Sequence, residues 1–131
     1  MSKASEIGRN GEELAATYLM HNGYTIIDRN WNLHRGYELD IVALNSTGDT
    51  VVFVEVKTRY SNAVSEPEDA VDEKKMRRIC MAANHYVCEK QIDKYYRFDI
   101  ISVIYKSESD YTLKHIENAF DIPLTTIGSR W

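Results

Sequence analysis

Glu55 and Lys57 stand two positions apart inside the otherwise aliphatic run "VVFVEVKTR" (Val51 to Arg59), and Glu38 and Asp40 stand two apart inside "YELDIVAL" (Tyr37 to Leu44). Both runs have the β-branched and aromatic content of strands, and "STGD" (Ser46 to Asp49) between them reads as a tight turn. A four-residue loop there sets Asn45 opposite Thr50, and antiparallel pairing then keeps the sum of facing residue numbers constant. Leu44 faces Val51, Val42 faces Phe53, Asp40 faces Glu55 and Glu38 faces Lys57, all on one side of the sheet because side chains alternate with period two. Facing carboxylates have Cβ atoms ~4.5–5.5 Å apart and repel unless something positive lies between them. Magnesium is commonly held by one or two carboxylates with water and phosphate oxygens, so Asp40 and Glu55 form a candidate seat for it, with Lys57 turned to the water or phosphate. A salt-bridge ladder of Glu38, Asp40, Glu55 and Lys57 on a half-exposed face accounts for the same residues.

The elements that must position these groups follow in close order. Ile7, Leu14, Ala15, Tyr18 and Leu19 lie on one stripe of a helix expected over Ala4 to Asn22, and Gly23 stops it. Strands follow at Tyr24 to Trp31, Tyr37 to Leu44 and Thr50 to Thr58, with Gly36 punctuating the first link. Pro67 and the acids Glu68, Asp69, Asp72 and Glu73 are expected to open a second helix, where negative charge suits the amino-terminal dipole. Its core stripe is Met76, Ile79, Cys80, Ala83 and Val87. Two more strands, Tyr96 to Tyr105 and Tyr111 to Glu117, join across "KSESD", which gives the order αβββαββ. Glu12 falls beside Leu19 at the edge of the apolar stripe and can reach the sheet, whereas Glu13 points into solvent. An ordinary acid of the first helical turn would also explain Glu12.

With 131 residues and 44% hydrophobic content the chain can bury one core, so a single domain over 1–122 is expected, followed by a carboxyl-terminal tail at 123–131. No run approaches the ~18 apolar residues of a membrane span, and the start lacks the apolar core of a signal peptide, so the expected location is the cytoplasm. Cys80 and Cys88 have no metal-type spacing and are expected to be buried free thiols. The net charge of -4 gives no bulk support to nucleic-acid binding, which leaves a local positive surface. Basic residues cluster at Arg29 with Arg35, at Lys57 with Arg59, and at Lys74 to Arg78. A solvated charged face explains them about as well.

Asp40 followed by Glu55-Val56-Lys57 resembles the PD-(D/E)xK nuclease pattern, an Asp near a hairpin followed by Glu-x-Lys. The blocks "GRNGEELAATYLMHNGYTIIDRNW", "ELDIVAL", "VVFVEVKTR", "AVDEKKMRRICMAANHYV", "YRFDIISV" and "HIENAF" resemble those of the bacterial YraN-like family over residues 5–122. These uncharacterised proteins are predicted to be endonuclease-like, similar in fold to archaeal Holliday junction resolvases. The resemblance implies an α/β, restriction-endonuclease-like core, a central mixed β-sheet flanked by helices. Its implied activity is magnesium-dependent, or manganese-dependent, hydrolysis of phosphodiester bonds in DNA, including branched or junction DNA. Asp40 and Glu55 would ligate the metal, Lys57 would align the attacking water, Glu12 would approach from the first helix, and Glu38 would assist. Lys75, at a basic position of helix two, would contact phosphate, and Arg9, Arg35, Arg59 and Lys74 would complete a positive rim. Related resolvases are two-fold dimers, so a homodimer is among the implied arrangements. Tyr37 intervenes between Gly36 and Glu38, where the family usually has Gly directly before its Glu-Ile-Asp block, which shifts the approach to the site. The alternative on the same fold is a catalytically silent module that binds nucleic acid or protein. A structural subunit docking through "FDIPLTTIGSRW" is a third. Paired buried acids are costly without a cation, which weighs against both.

Overall fold

Strand β3 (Thr50–Tyr60) sorts its side chains between two cores. Val51 and Phe53 enter one, Val52 and Val54 the other, as the two-residue period requires. The computed structural model describes residues 3–34, 36–61, 72–107 and 109–120, with side chains of the first helix from residue 10 onward. Around β3 the order is α1 (Lys3–His21), β1 (Thr25–His34), β2 (Tyr37–Leu44), then α2 (Glu73–Glu89), β4 (Tyr95–Ser107) and β5 (Asp110–Ile116). The strands form one five-stranded sheet in the order β1-β2-β3-β4-β5. Among the described residues only β3 and β4 pair in parallel, and α2 lies between them in sequence, as a parallel connection requires. The order αβββαββ is as the patterning implied, and the mixed sheet is as the resemblance implied.

Helix α1 covers one face of the sheet through Ala15, Ala16 and Leu19, packed on Ile41, Ala43, Val52, Val54, Ile101 and Val103. It ends in a Schellman motif, with Gly23 at φ +87 donating to the Met20 carbonyl at 3.2 Å and Tyr24 donating to Leu19 at 3.0 Å. Helix α2 covers the other face through Ile79, Cys80, Ala83 and Tyr86. Asp72 caps it by accepting from the Lys75 N–H at 2.9 Å, so the helix begins later than Pro67 suggested. Pro67, Glu68 and Asp69 lie outside the described residues, as does the tail at 123–131. Cys80 is buried, and burial pushes its thiol up to about 11. Cys88 is exposed, contrary to expectation, because it sits in the last turn beyond the core stripe. Trp31 and Tyr37 pack against the α2-side core, while Tyr60 is exposed. Among the described residues no helix is long and apolar enough to cross a membrane.

Asp99, on the α1 face of β4, is 1% exposed and fully partnered. Its carboxylate lies 2.7 Å from His115 Nε2, accepts Arg97 Nε and Nη2 at 2.8 Å each, and accepts the Asn118 N–H at 2.9 Å. Arg97 also donates to the Tyr24 hydroxyl at 2.9 Å, and Tyr18 OH lies 3.1 Å from His115 Nδ1. The network ties α1, β4, β5 and the α1–β1 link together on one buried charge.

Helix α1 and strand β3 come close together where buried Gly11 meets Thr58: a Cβ on Gly11 would fall 2.0 Å from Thr58 Oγ1 and 3.1 Å from its Cβ and Cγ2. Alanine favours a helix interior by about 1 kcal/mol over glycine. Here the overlap outweighs that gain, and Gly11→Ala is expected to destabilise the protein by roughly 1–2 kcal/mol net. Urea unfolding checks it: Thr58→Ala should recover most of the loss in the double variant, and a Gly11→Ala protein as stable as wild type would contradict the packing.

Candidate active site

Strands β2 and β3 pair from Leu44↔Val51 to Ile41↔Val54, the register set by the Ser46–Asp49 turn, and then part. The next rung was expected to set Asp40 opposite Glu55 within the ladder. Instead the Val56 N–H donates to Asp40 Oδ2 at 2.9 Å, so the carboxylate itself fills the fork between the strands. Glu55 follows Val51 and Phe53 onto the α2 face, is 6% exposed, and shares a hydrogen bond with Asp40. Burial is the main force raising both carboxyls, and the Asp40 charge adds to it at Glu55, which is pushed up to about 8. The Asp40–Glu55 pair therefore retains a proton where isolated acids would have lost theirs. Lys75 Nζ from the first turn of α2 and Lys57 Nζ from β3 approach Glu55 Oε1 to 3.7 and 3.9 Å and pull the other way.

Glu12 comes from the opposite face. It lies in the third turn of α1, because the helix begins at Lys3, so the first-turn explanation of this acid does not hold. Burial raises its carboxyl and the Asp40 charge raises it further, while the Asn30 side chain hydrogen-bonds it and Arg29 lies near. Two helices on opposite faces can address one carboxylate because Asp40 occupies the gap between strands. Glu13 is ion-paired with Arg29 Nη1 at 2.9 Å, more engaged than its outward direction suggested.

The expected Glu38–Lys57 rung does not form: Glu38 is exposed and pairs in register with Asn32 of β1. Among the described residues the ion pair of Lys57 is with Glu55, because β2 has already parted from β3. Lys74 is exposed on α2 and Arg59 half-buried on β3. Arg9 belongs to α1, with its side chain outside the described residues, and Arg35 lies outside them altogether. Asn30, absent from the sequence expectations, joins the site because its backbone adopts φ +51 within β1. Only the tolerance of asparagine for that region could have hinted at it.

Among the described residues no group of three or more His, Cys, Asp and Glu side chains is gathered to hold a metal ion. The donor chemistry is instead that of two carboxylates in one seat with amines around them. That set fits a hard cation which keeps most of its waters, since magnesium is usually bound through one or two carboxylates.

The profile of the uncharacterised protein family UPF0102 matches residues 11–103. A UPF0102 protein of Parabacteroides distasonis is 46% identical over 94% of this chain and 98% of its own length. One from Phocaeicola vulgatus is 41% identical over 95% and 99%, and one from Clostridium tetani 38% over 89% and 95%. Among solved structures, Pyrococcus furiosus SfsA in complex with Ca2+ is similar at a TM-score of 0.37 and 13% identity, covering 91% of this chain and 65% of that one.

Proposed function

Since this chain belongs to the uncharacterised protein family UPF0102, whose name carries no activity, we propose its function from the site itself: a magnesium- or manganese-dependent nuclease acting on DNA, on a restriction-endonuclease-like core. The observation that carries this reading is the placement of Asp40 in the fork of β2 and β3, against buried Glu55 and within reach of Lys57 and Lys75. Burial raises both acids and the Asp40 charge raises Glu55 further, a costly arrangement unless a cation or a shared proton relieves it, and a phosphodiesterase supplies the cation.

Asp40 and Glu55 would hold the metal, which when bound polarises a phosphoryl oxygen and makes a coordinated water acidic. Lys57, 24% exposed at the mouth, orients the nucleophile and offsets charge gathering at phosphorus. Lys75, 40% exposed, is placed to meet a phosphate oxygen without leaving its helix. Glu12 bounds the site from the α1 side. The net charge of -4 leaves phosphate attraction to these local amines, so binding should weaken steeply with salt.

The test is cleavage of labelled four-way junction, flap, single-stranded and duplex DNA with Mg2+ or Mn2+. Lys57→Ala is expected to lower the rate at least about a hundredfold while leaving metal affinity equal or higher, because it removes a charge-stabilising amine and no metal donor. Salt-sensitive binding without cutting would favour the silent module, and neither binding nor cutting would sink the nucleic-acid reading.

A further inference from the structure

Strand β1, whose register with β2 shifts between Ile26 and Asp28 and between Asn32 and His34, carries a left-handed residue at one internal position beside the carboxylates. Three non-glycine residues among those described have positive φ. Gln91 and Asn118 lie just past the ends of α2 and β5, where such a residue closes an element. Asn30 at φ +51 lies inside β1 itself. Its neighbours keep regular partners, Arg29 with Ile41 and Trp31 with Leu39, so Asn30 stands at the level of Asp40.

The break has a counterpart on β2. Leu39 and Ile41 are two apart and should share a face, yet Leu39 enters the α2-side core and Ile41 the α1-side core. Both strands therefore change face at Asn30 and Asp40. A left-handed residue in a strand is retained only where the surroundings enforce it, and such residues collect at functional sites.

We propose that Asn30 is a positioning residue of the active site: its left-handed backbone turns the side-chain amide onto Glu12 and fixes that carboxylate toward Asp40. The inference deepens the nuclease reading and rests on it. The amide is a suitable holder because it donates a hydrogen bond without adding a charge that would compete with a metal. Glu12 comes from α1 and meets both the Asn30 amide and the Asp40 carboxylate, so a hydrogen bond from the amide sets where its own carboxylate points.

Glycine separates the backbone from the amide, since it accepts positive φ freely and carries no side chain. The experiment is Mn2+ titration followed by electron paramagnetic resonance, with thermal unfolding alongside, for wild type, Asp40→Asn, Glu12→Gln, Asn30→Gly, Asn30→Asp and the Glu12→Gln/Asn30→Gly double variant. Asn30→Gly is expected to weaken Mn2+ binding about tenfold with its melting temperature kept or raised. Asn30→Asp tolerates the same backbone but sets a carboxylate against Glu12, and should lose at least as much. In the Glu12→Gln background Asn30→Gly should cost nothing more, which a purely structural role would not produce. Wild-type affinity in Asn30→Gly, or losses that simply add in the double variant, would overturn the positioning role while Asp40→Asn still loses metal. Wild-type affinity in Asp40→Asn would remove the metal site and this inference with it.

Discussion

Asp40→Asn is expected to abolish metal binding and DNA cleavage together while leaving the protein as stable as wild type or more so. Asparagine keeps the size of the side chain and an oxygen that can still accept the Val56 N–H, so the fork between β2 and β3 stays filled. What it removes is the Asp40 charge, which adds to burial in raising Glu55. Losing a carboxylate donor should lower Mn2+ affinity by at least about a hundredfold. Relief of the like-charge pair is worth on the order of 1 kcal/mol, which for a chain of this size raises the melting temperature by a few degrees. Isothermal titration with Mn2+ and calorimetric melting measure both in one preparation. The salt-bridge ladder predicts the reverse, because there Asp40 would be a favourable partner: stability would fall and no metal binding would be lost. Lower stability with unchanged metal affinity would therefore refute the site.

The other buried aspartate should respond with the opposite sign. Asp99→Ala leaves the Arg97 guanidinium and His115 facing an empty, dry space, and breaking such a buried arrangement costs about 3–5 kcal/mol. The melting temperature should fall by roughly 10 °C or more, and metal binding, on the far side of β3 from this network, should persist in protein that remains folded. Asp99 also fixes part of the acid limit. Burial pushes its carboxyl up, but His115, Arg97 and the Asn118 N–H together outweigh burial and hold it below its ordinary value of 3.8. The unfolded chain thus takes up this proton first as pH falls. The stabilisation is fully present above 3.8 and is lost as pH drops from there through the lower folded value. Asp99→Asn should accordingly lose stability at neutral pH and show a flatter decline in acid than wild type. Urea unfolding from neutral pH to about pH 3 compares the two slopes; parallel curves would show that Asp99 is not the group responsible.

These two acids mark the division between what the chain announces and what it conceals. Asp40 and Glu55 were legible because one turn, Ser46–Asp49, fixes a local register, and counting outward along two strands brings them together. The same counting overran the ladder, which ends at Ile41↔Val54: Asp40 and Glu55 meet without forming a rung, and Glu38 does not meet Lys57. It assumes that paired strands stay paired, and β2 parts from β3 beyond Ile41↔Val54 while staying paired with β1 along its length. The helices were legible from their apolar stripes, and the start of α2 was misjudged because several acids compete to cap it and among the described residues Asp72 is the one that does. Asp99 gave no sign of its role in "YRFDIISV", since its partners His115 and Asn118 lie on the next strand and beyond it. Asn30 gave none either, for its conformation comes from contacts made by two strands and a helix. By itself the sequence determined the element order, the hairpin register next to the turn and the nearness of Asp40 to Glu55, all set by local periodicity and a short turn. Only the tertiary structure decided which groups reach those carboxylates from each side of the sheet, because that depends on where strands part and how closely helices approach them.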